Sequence, residues 1–234
     1  MEIKSAIFYR TKDRAMDAFN KKYSLREKKY AKTKIALTNA FIERLKKVRF
    51  NEISIKEVCE SVEVSEATFF NYFPQKADVV SYYQQIVSLK ISYEIRENSA
   101  GMSPQKLIEF TFDSIAKEIE QPYLFFEIIS LFTAERKKPK EIMITPAEKF
   151  YAHPACEGIE GVPVQSLEDL FLSLVKEAKK KKEIKNDIKA EDVALTLLAI
   201  LVGIPLAIDI ENFGRIKQFY RSQLSLLWKA VGAP

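Results

Sequence analysis

Two helix starts stand eleven residues apart, at Ser54 and Ser65, and the stretch between them has room only for one short helix and a tight turn. Ser54-Ile55-Lys56-Glu57 is a capping box: the serine hydroxyl and the glutamate carboxylate satisfy amides that a helix start leaves free. Ile55, Val58, Cys59 and Val62 then follow the three-and-four spacing of one buried helix face. Ser65 is a second N-cap, and the helix it opens, Ser65 to Tyr72, turns Phe69 and Phe73 inward while Glu66, Ala67, Phe70 and Asn71 face out. Pro74 is expected at the first position of the next helix. Upstream, Lys28 to Val48 reads as a helix with Ile35, Thr38, Phe41, Leu45 and Val48 on one face and Lys32, Lys34, Arg44 and Lys47 elsewhere, on a basic solvated side. Three helices joined this way are a helix-turn-helix domain, with 65–72 as its recognition helix.

The rest of the chain is expected to be helical as well. Leu, Ile, Ala, Lys and Glu dominate, only six glycines occur, and no sustained period-two alternation is present. The fold class expected is all-α: an N-terminal three-helix helix-turn-helix domain and a larger C-terminal helical bundle that forms a dimer. Its expected boundaries are a basic extension over 1–26, the helix-turn-helix domain over 27–78, and a ligand-binding and dimerisation domain over 79–234. Charge supports a polyanion-facing N-terminal end: residues 1–50 carry 15 Lys and Arg against 5 Asp and Glu, whereas the remainder is net acidic. The extension itself reads either as a phosphate-contacting tail or as a helix packed on the body.

The run from Ser54 to Lys76, SIKEVCESVEVSEATFFNYFPQK, resembles the DNA-binding signature of the TetR family, and the resemblance extends over about 31–91. It implies a one-component regulator, usually a repressor, that binds a palindromic operator as a homodimer and is released by a small hydrophobic ligand. A ligand-free nucleoid-associated or cell-division regulator on the same fold is the alternative. Position by position, it implies that Ser65, Glu66, Ala67, Phe70 and Asn71 face the major groove and that Thr68, Tyr72 and Lys76 face phosphate. The chemistry of these side chains agrees. Asn71 can pair with adenine in two hydrogen bonds and Phe70 can lie on a thymine methyl, so an A/T-containing half-site is expected. Thr68 and Tyr72 carry hydroxyls, and Lys76 is a cation. Three residues depart from the family pattern: Glu63 where Gly is favoured, Ala67 where Gly is frequent, and Phe70 where Tyr is frequent. Glu63 is therefore expected in a left-handed backbone conformation, which costs a residue other than glycine roughly 1 kcal/mol.

Downstream, Pro74 to about Asn98 reads as a connecting helix with Val79, Val80, Tyr83, Ile86, Val87 and Ile91 inward. Ser103-Pro104 opens a helix through Glu120, and Pro122 opens another that is rich in phenylalanine. Phe112, Phe125, Phe126, Phe132 and Tyr151 are the candidate lining of an apolar ligand pocket, and Lys138 to Gln165, broken by Pro139, Pro146, Pro154, Gly158, Gly161 and Pro163, reads as an irregular loop over its mouth. Val193 to Ile208 is uncharged and mainly apolar but short for a membrane span and interrupted by Gly203 and Pro205, so with 213–231 it is assigned to a four-helix dimer interface covering about 190–231. An enzyme is not expected: there is no phosphate loop, no nucleophile elbow and one histidine, His153. Neither metal nor cofactor is expected, since Cys59 and Cys156 form no metal-spaced pair. No export signal is visible at the N-terminus, and a cytoplasmic chain that binds double-stranded DNA and no membrane is the resulting expectation.

Overall fold

The computed structural model describes residues 16–119, 121–135 and 142–232, with the backbone alone over 132–135. Its elements are helical throughout: among the described residues no strand occurs, and a single isolated bridge joins Ile184 to Gly232. Two compact units divide the chain. The first holds the described residues up to Lys90 together with Tyr123–Val164; the second holds Ile91–Pro122 and the residues from Gln165 onward. These units cut the chain differently from the boundary expected after residue 78, because the segment 123–164 belongs with the N-terminal helices.

In the first unit, residues 16–22 are helical and α1 follows over Leu25–Leu45. The α1 helix starts earlier than expected because Ser24 and Glu27 form a reciprocal capping box. It is followed by a 3-10 turn at Phe50–Glu52, α2 over Ile55–Ser61 and α3 over Glu66–Tyr72. The next helix, α4, runs over Lys76–Asn98; Pro74 lies in the bend before it, and Asp78 caps its start by accepting from the Gln75 amide at 2.9 Å. Then come α6 over Pro122–Glu135 and α7 over Pro146–Ala152, α5 of the second unit lying between α4 and α6 in the chain. One core joins Leu37, Phe41, Ile42 and Leu45 of α1 to Val58 and Cys59 of α2, Phe69 of α3, Phe73, and Val79, Val80 and Tyr82 of α4. Burial on α4 falls on Tyr82 rather than on Tyr83.

The segment 138–165 is not the loop expected from its prolines. Its described part contains α7 and a 3-10 turn at Ile159–Gly161. Pro146 occupies a first-turn position where its missing amide costs nothing, and Thr145 and Glu148 close a capping box around it. The α7 helix packs on α1, where Ala31, Ala147 and Phe19 are fully or almost fully buried together. The 16–23 segment is a packed element here: Phe19 stacks on Phe150 at 5.6 Å and meets Tyr151 at 5.4 Å, while Lys22 and Tyr23 both bond the Glu160 carboxylate, at 2.7 and 3.2 Å. Residues 1–15 of the expected basic extension lie outside the described residues.

The second unit holds the last turns of α4, then α5 over Pro104–Glu118, α8 over Leu167–Lys180, α9 over Ala190–Ala207 and α10 over Ile216–Val231. Phe112 of α5 stacks on Phe171 of α8 at 5.4 Å and meets Tyr220 of α10 edge-on at 5.0 Å. The Tyr220 hydroxyl donates to the Leu201 carbonyl, which ties α10 to α9. On α9, Val193, Ala194, Leu197, Leu201 and Pro205 are buried, while Leu195 and Leu206 are 66% and 54% exposed. By length and composition α9 is the one helix among the described residues able to cross a membrane, with a third of that stretch buried.

Candidate nucleic-acid interface

The α3 helix is short, and packing rather than intrinsic helicity holds it. Phe69 and Phe73 anchor it with no exposed surface, their rings 5.7 Å apart. Ser65 caps its start by accepting from the Thr68 amide at 3.2 Å, and the two hydroxyls share a hydrogen bond of 2.9 Å. The turn before it closes through Glu63, whose φ of 57° is the left-handed conformation expected there. Arg44 braces α1 against α2 by donating to the Glu57 carbonyl at 2.9 Å, so its guanidinium is not free on a basic surface.

With α3 fixed in this way, Ser65, Glu66, Ala67, Phe70 and Asn71 all lie exposed along one surface, and Thr68, Tyr72 and Lys76 are half-buried beside it. Phe70 is 47% exposed, a large apolar ring left in water next to a polar amide. No Lys or Arg occurs on α3, and Glu66 lies in its first turn. The nearest cation of the set, Lys76, sits over the Phe50 ring at 4.7 Å, and desolvation lowers its ammonium below its ordinary value.

A polar cluster behind this surface departs from the expectation of a solvated basic side on α1. Lys34, expected on the solvated face of α1, is buried: its ammonium pairs with the Glu148 carboxylate at 2.8 Å, both side chains being almost wholly out of solvent. The Lys34 ammonium also lies over the rings of Tyr82, Tyr30 and Phe73, at 4.2, 5.6 and 5.8 Å. Glu148 accepts from the Tyr82 hydroxyl at 2.9 Å and from the Thr145 amide at 2.9 Å. Burial, with the Glu148 charge beside it, pushes the Tyr82 hydroxyl well above its ordinary range. The reason for the departure is physical: α7 brings a carboxylate to the very face of α1 that periodicity assigned to water.

The structural comparisons decide the fold. Chain-wide similarity is found to FadR of Thermus thermophilus, a TetR-family transcriptional repressor in complex with lauroyl-CoA, at 21% identity and a TM-score of 0.57 over 83% of this chain and 92% of that one. A TetR-family transcriptional regulator from Rhodococcus sp. matches at 11% identity and a TM-score of 0.58 over 86% of this chain and 98% of that one. A transcriptional regulator from Aquifex aeolicus matches at 17% identity and 0.52, over 83% and 99%. The fold is that of TetR-family transcription regulators. No family model matches the sequence, and the comparison with curated proteins found no match.

The residues expected to line a pocket fall in different places. Phe112 is in the core of the second unit, between Phe171 and Tyr220. Phe125 and Phe126 of α6 meet edge-on at 5.7 Å in the first unit, and Tyr151 packs on Phe19 there. The Phe132 side chain lies outside the described residues. His153 bonds the Ile86 carbonyl at 3.0 Å, and among the described residues no group of His, Cys, Asp and Glu is arranged to hold a metal ion.

Proposed function

We propose that this chain is a cytoplasmic, TetR-type DNA-binding transcription regulator that reads a palindromic operator as a homodimer and acts as a repressor. The observation that carries this reading is the α3 surface: five exposed residues, Ser65, Glu66, Ala67, Phe70 and Asn71, on a helix anchored by two fully buried rings. A rigid helix with an exposed amide and an exposed apolar ring meets what the major groove offers, a donor–acceptor pair on adenine and a methyl on thymine. Thr68, Tyr72 and Lys76 flank it as phosphate contacts. The exposed apolar residues of α9 and α10, Leu195, Leu206 and Leu226, support a homodimer through about 190–231. On a duplex enriched from random sequence, Asn71→Ala is expected to lose about 1–3 kcal/mol and to relax base preference. Lys76→Ala is expected to weaken all duplexes alike and to lower the salt slope by about one contact. Unchanged sequence preference in Asn71→Ala rules out the base-reading role.

Release by a small hydrophobic ligand is the second part of the proposal, supported by the neighbour that holds lauroyl-CoA. One observation favours the ligand-free alternative: Phe112, a residue assigned to the pocket, has aromatic partners on two sides. Titration of the DNA complex with lauroyl-CoA and with laurate separates the two, since a ligand that prefers one state must shift the DNA affinity.

A further inference from the structure

An open groove of about 520 Å³ lies at the end of α3, lined by Leu25, Arg26, Lys29, Tyr30 and Tyr72. Its aromatic wall is the pair Tyr30 and Tyr72, ring centroids 4.7 Å apart and tilted by 50°. Leu25 extends the apolar surface and is 66% exposed. Arg26 and Lys29 are three residues apart on α1 and so share one face of its first turns. Among the described residues neither cation has an ion-pair partner, and the one carboxylate between them, Glu27, is held by the Ser24 amide and hydroxyl at 2.9 and 2.7 Å. That capping box ties up the Glu27 carboxylate and satisfies the Glu27 amide, so an anion in the groove meets the two cationic side chains.

A small molecule of matching volume is ordinarily held with some 70–90% of its surface covered. This groove is a shallow surface that leaves one side to water, which suits an extended polymer better than a compact ligand. Its wall contains Tyr72, the last residue of α3, so a strand whose bases meet the exposed α3 side chains continues directly past it. Two unpaired cations over an aromatic and aliphatic shelf match the two parts of a DNA strand's backbone, phosphate and deoxyribose. We propose that this groove seats the sugar–phosphate backbone of one DNA strand, with Arg26 and Lys29 each on a phosphate and the Tyr30 and Tyr72 rings against the sugars. The proposal rests on the DNA-reading function above and supplies the cations that α3 lacks.

The test uses the full chain and its Arg26→Ala/Lys29→Ala double variant, on a mixed-sequence duplex and on a duplex enriched from random sequence, across salt. Both side chains are exposed, and unchanged circular dichroism checks the fold. Losing two phosphate contacts lowers the log–log salt slope by about 1.8, so the affinity lost between ~50 and ~200 mM salt shrinks by about tenfold. The loss of affinity should be equal on both duplexes, because backbone contacts carry no base information. A double variant with parental affinity and slope overturns the groove assignment, and so does a defect confined to binding of lauroyl-CoA. If the parent chain itself retains no duplex, the groove assignment falls together with the reading beneath it, whereas a parent that binds normally beside an unaffected double variant removes the groove alone.

Discussion

Glu148→Gln should be among the most damaging conservative substitutions in this chain. The change keeps the shape, but it removes the charge 2.8 Å from the Lys34 ammonium and turns one of the two oxygens, which separately accept from the Tyr82 hydroxyl and the Thr145 amide, into a donor. Lys34 is 2% exposed, so its charge would remain in a region that water does not reach. Breaking one side of such a pair costs about 3–5 kcal/mol, and in a protein of this size each kcal/mol is worth about 2–4 °C, which gives a fall in Tm of roughly 6–20 °C. Lys34→Met should cost a similar amount by leaving the carboxylate alone. The Lys34→Met/Glu148→Gln double variant carries no buried charge and should melt above either single variant. Thermal unfolding followed by far-ultraviolet circular dichroism, with chemical denaturation to convert shifts into free energies, completes the double-mutant cycle. Additive effects, or single variants within about 1 kcal/mol of the parent, would refute the buried-pair account.

The docking of 16–23 should depend on pH from both sides. Burial raises the Glu160 carboxyl, but the bonds from Lys22 and Tyr23 outweigh it and hold the group below the ordinary range, so its contribution is present above that range and lost as pH falls through it. Burial and the neighbouring Glu160 push Tyr23 from 10.0 to about 12, so its contribution is complete below 10.0 and lost as pH rises to about 12. Comparing urea midpoints of the parent with Tyr23→Phe and Glu160→Gln across pH isolates each limb; parallel curves would count against both assignments. At the left-handed Glu63, Glu63→Gly should leave stability unchanged or raise it by up to about 1 kcal/mol, while the β-branched Glu63→Val should lower it; the opposite order in Tm would contradict the backbone reading. Leu195→Glu/Leu206→Glu should yield a monomer by light scattering with helicity intact, and a variant that stays dimeric would place the interface elsewhere.

Much of the α3 surface was legible because its signals are local. Ser65 as a cap, Phe69 and Phe73 as anchors and Glu63 as a strained turn residue each depend on neighbours within a few positions. The burial of Lys34 was not legible, since nothing near it in the sequence announces a carboxylate more than a hundred residues away. A signal for the partner exists: Thr145-Pro146-Ala147-Glu148 carries the same Ser/Thr-x-x-Glu pattern as Ser54 to Glu57, and forms both halves of the box where Ser54 forms one, but the prolines around it also fit a loop. Ser24 and Glu27 offered the same cue at the start of α1. Aromatic density is what marks the candidate pocket residues in the sequence, and density does not say which core a ring joins: Phe112 and Phe125 belong to different compact units.

The central claim is that the α3 surface reads double-stranded DNA, and selection from random duplexes by the purified chain tests it most directly. Enrichment should converge on an A/T-containing palindrome whose half-sites lie about one helical turn apart, ~34–36 Å, and Asn71→Ala should lose preference at a single position in each half. A pool that stays random after repeated rounds, or a converged site that Asn71→Ala and Phe70→Ala bind with unchanged preference, would contradict the account.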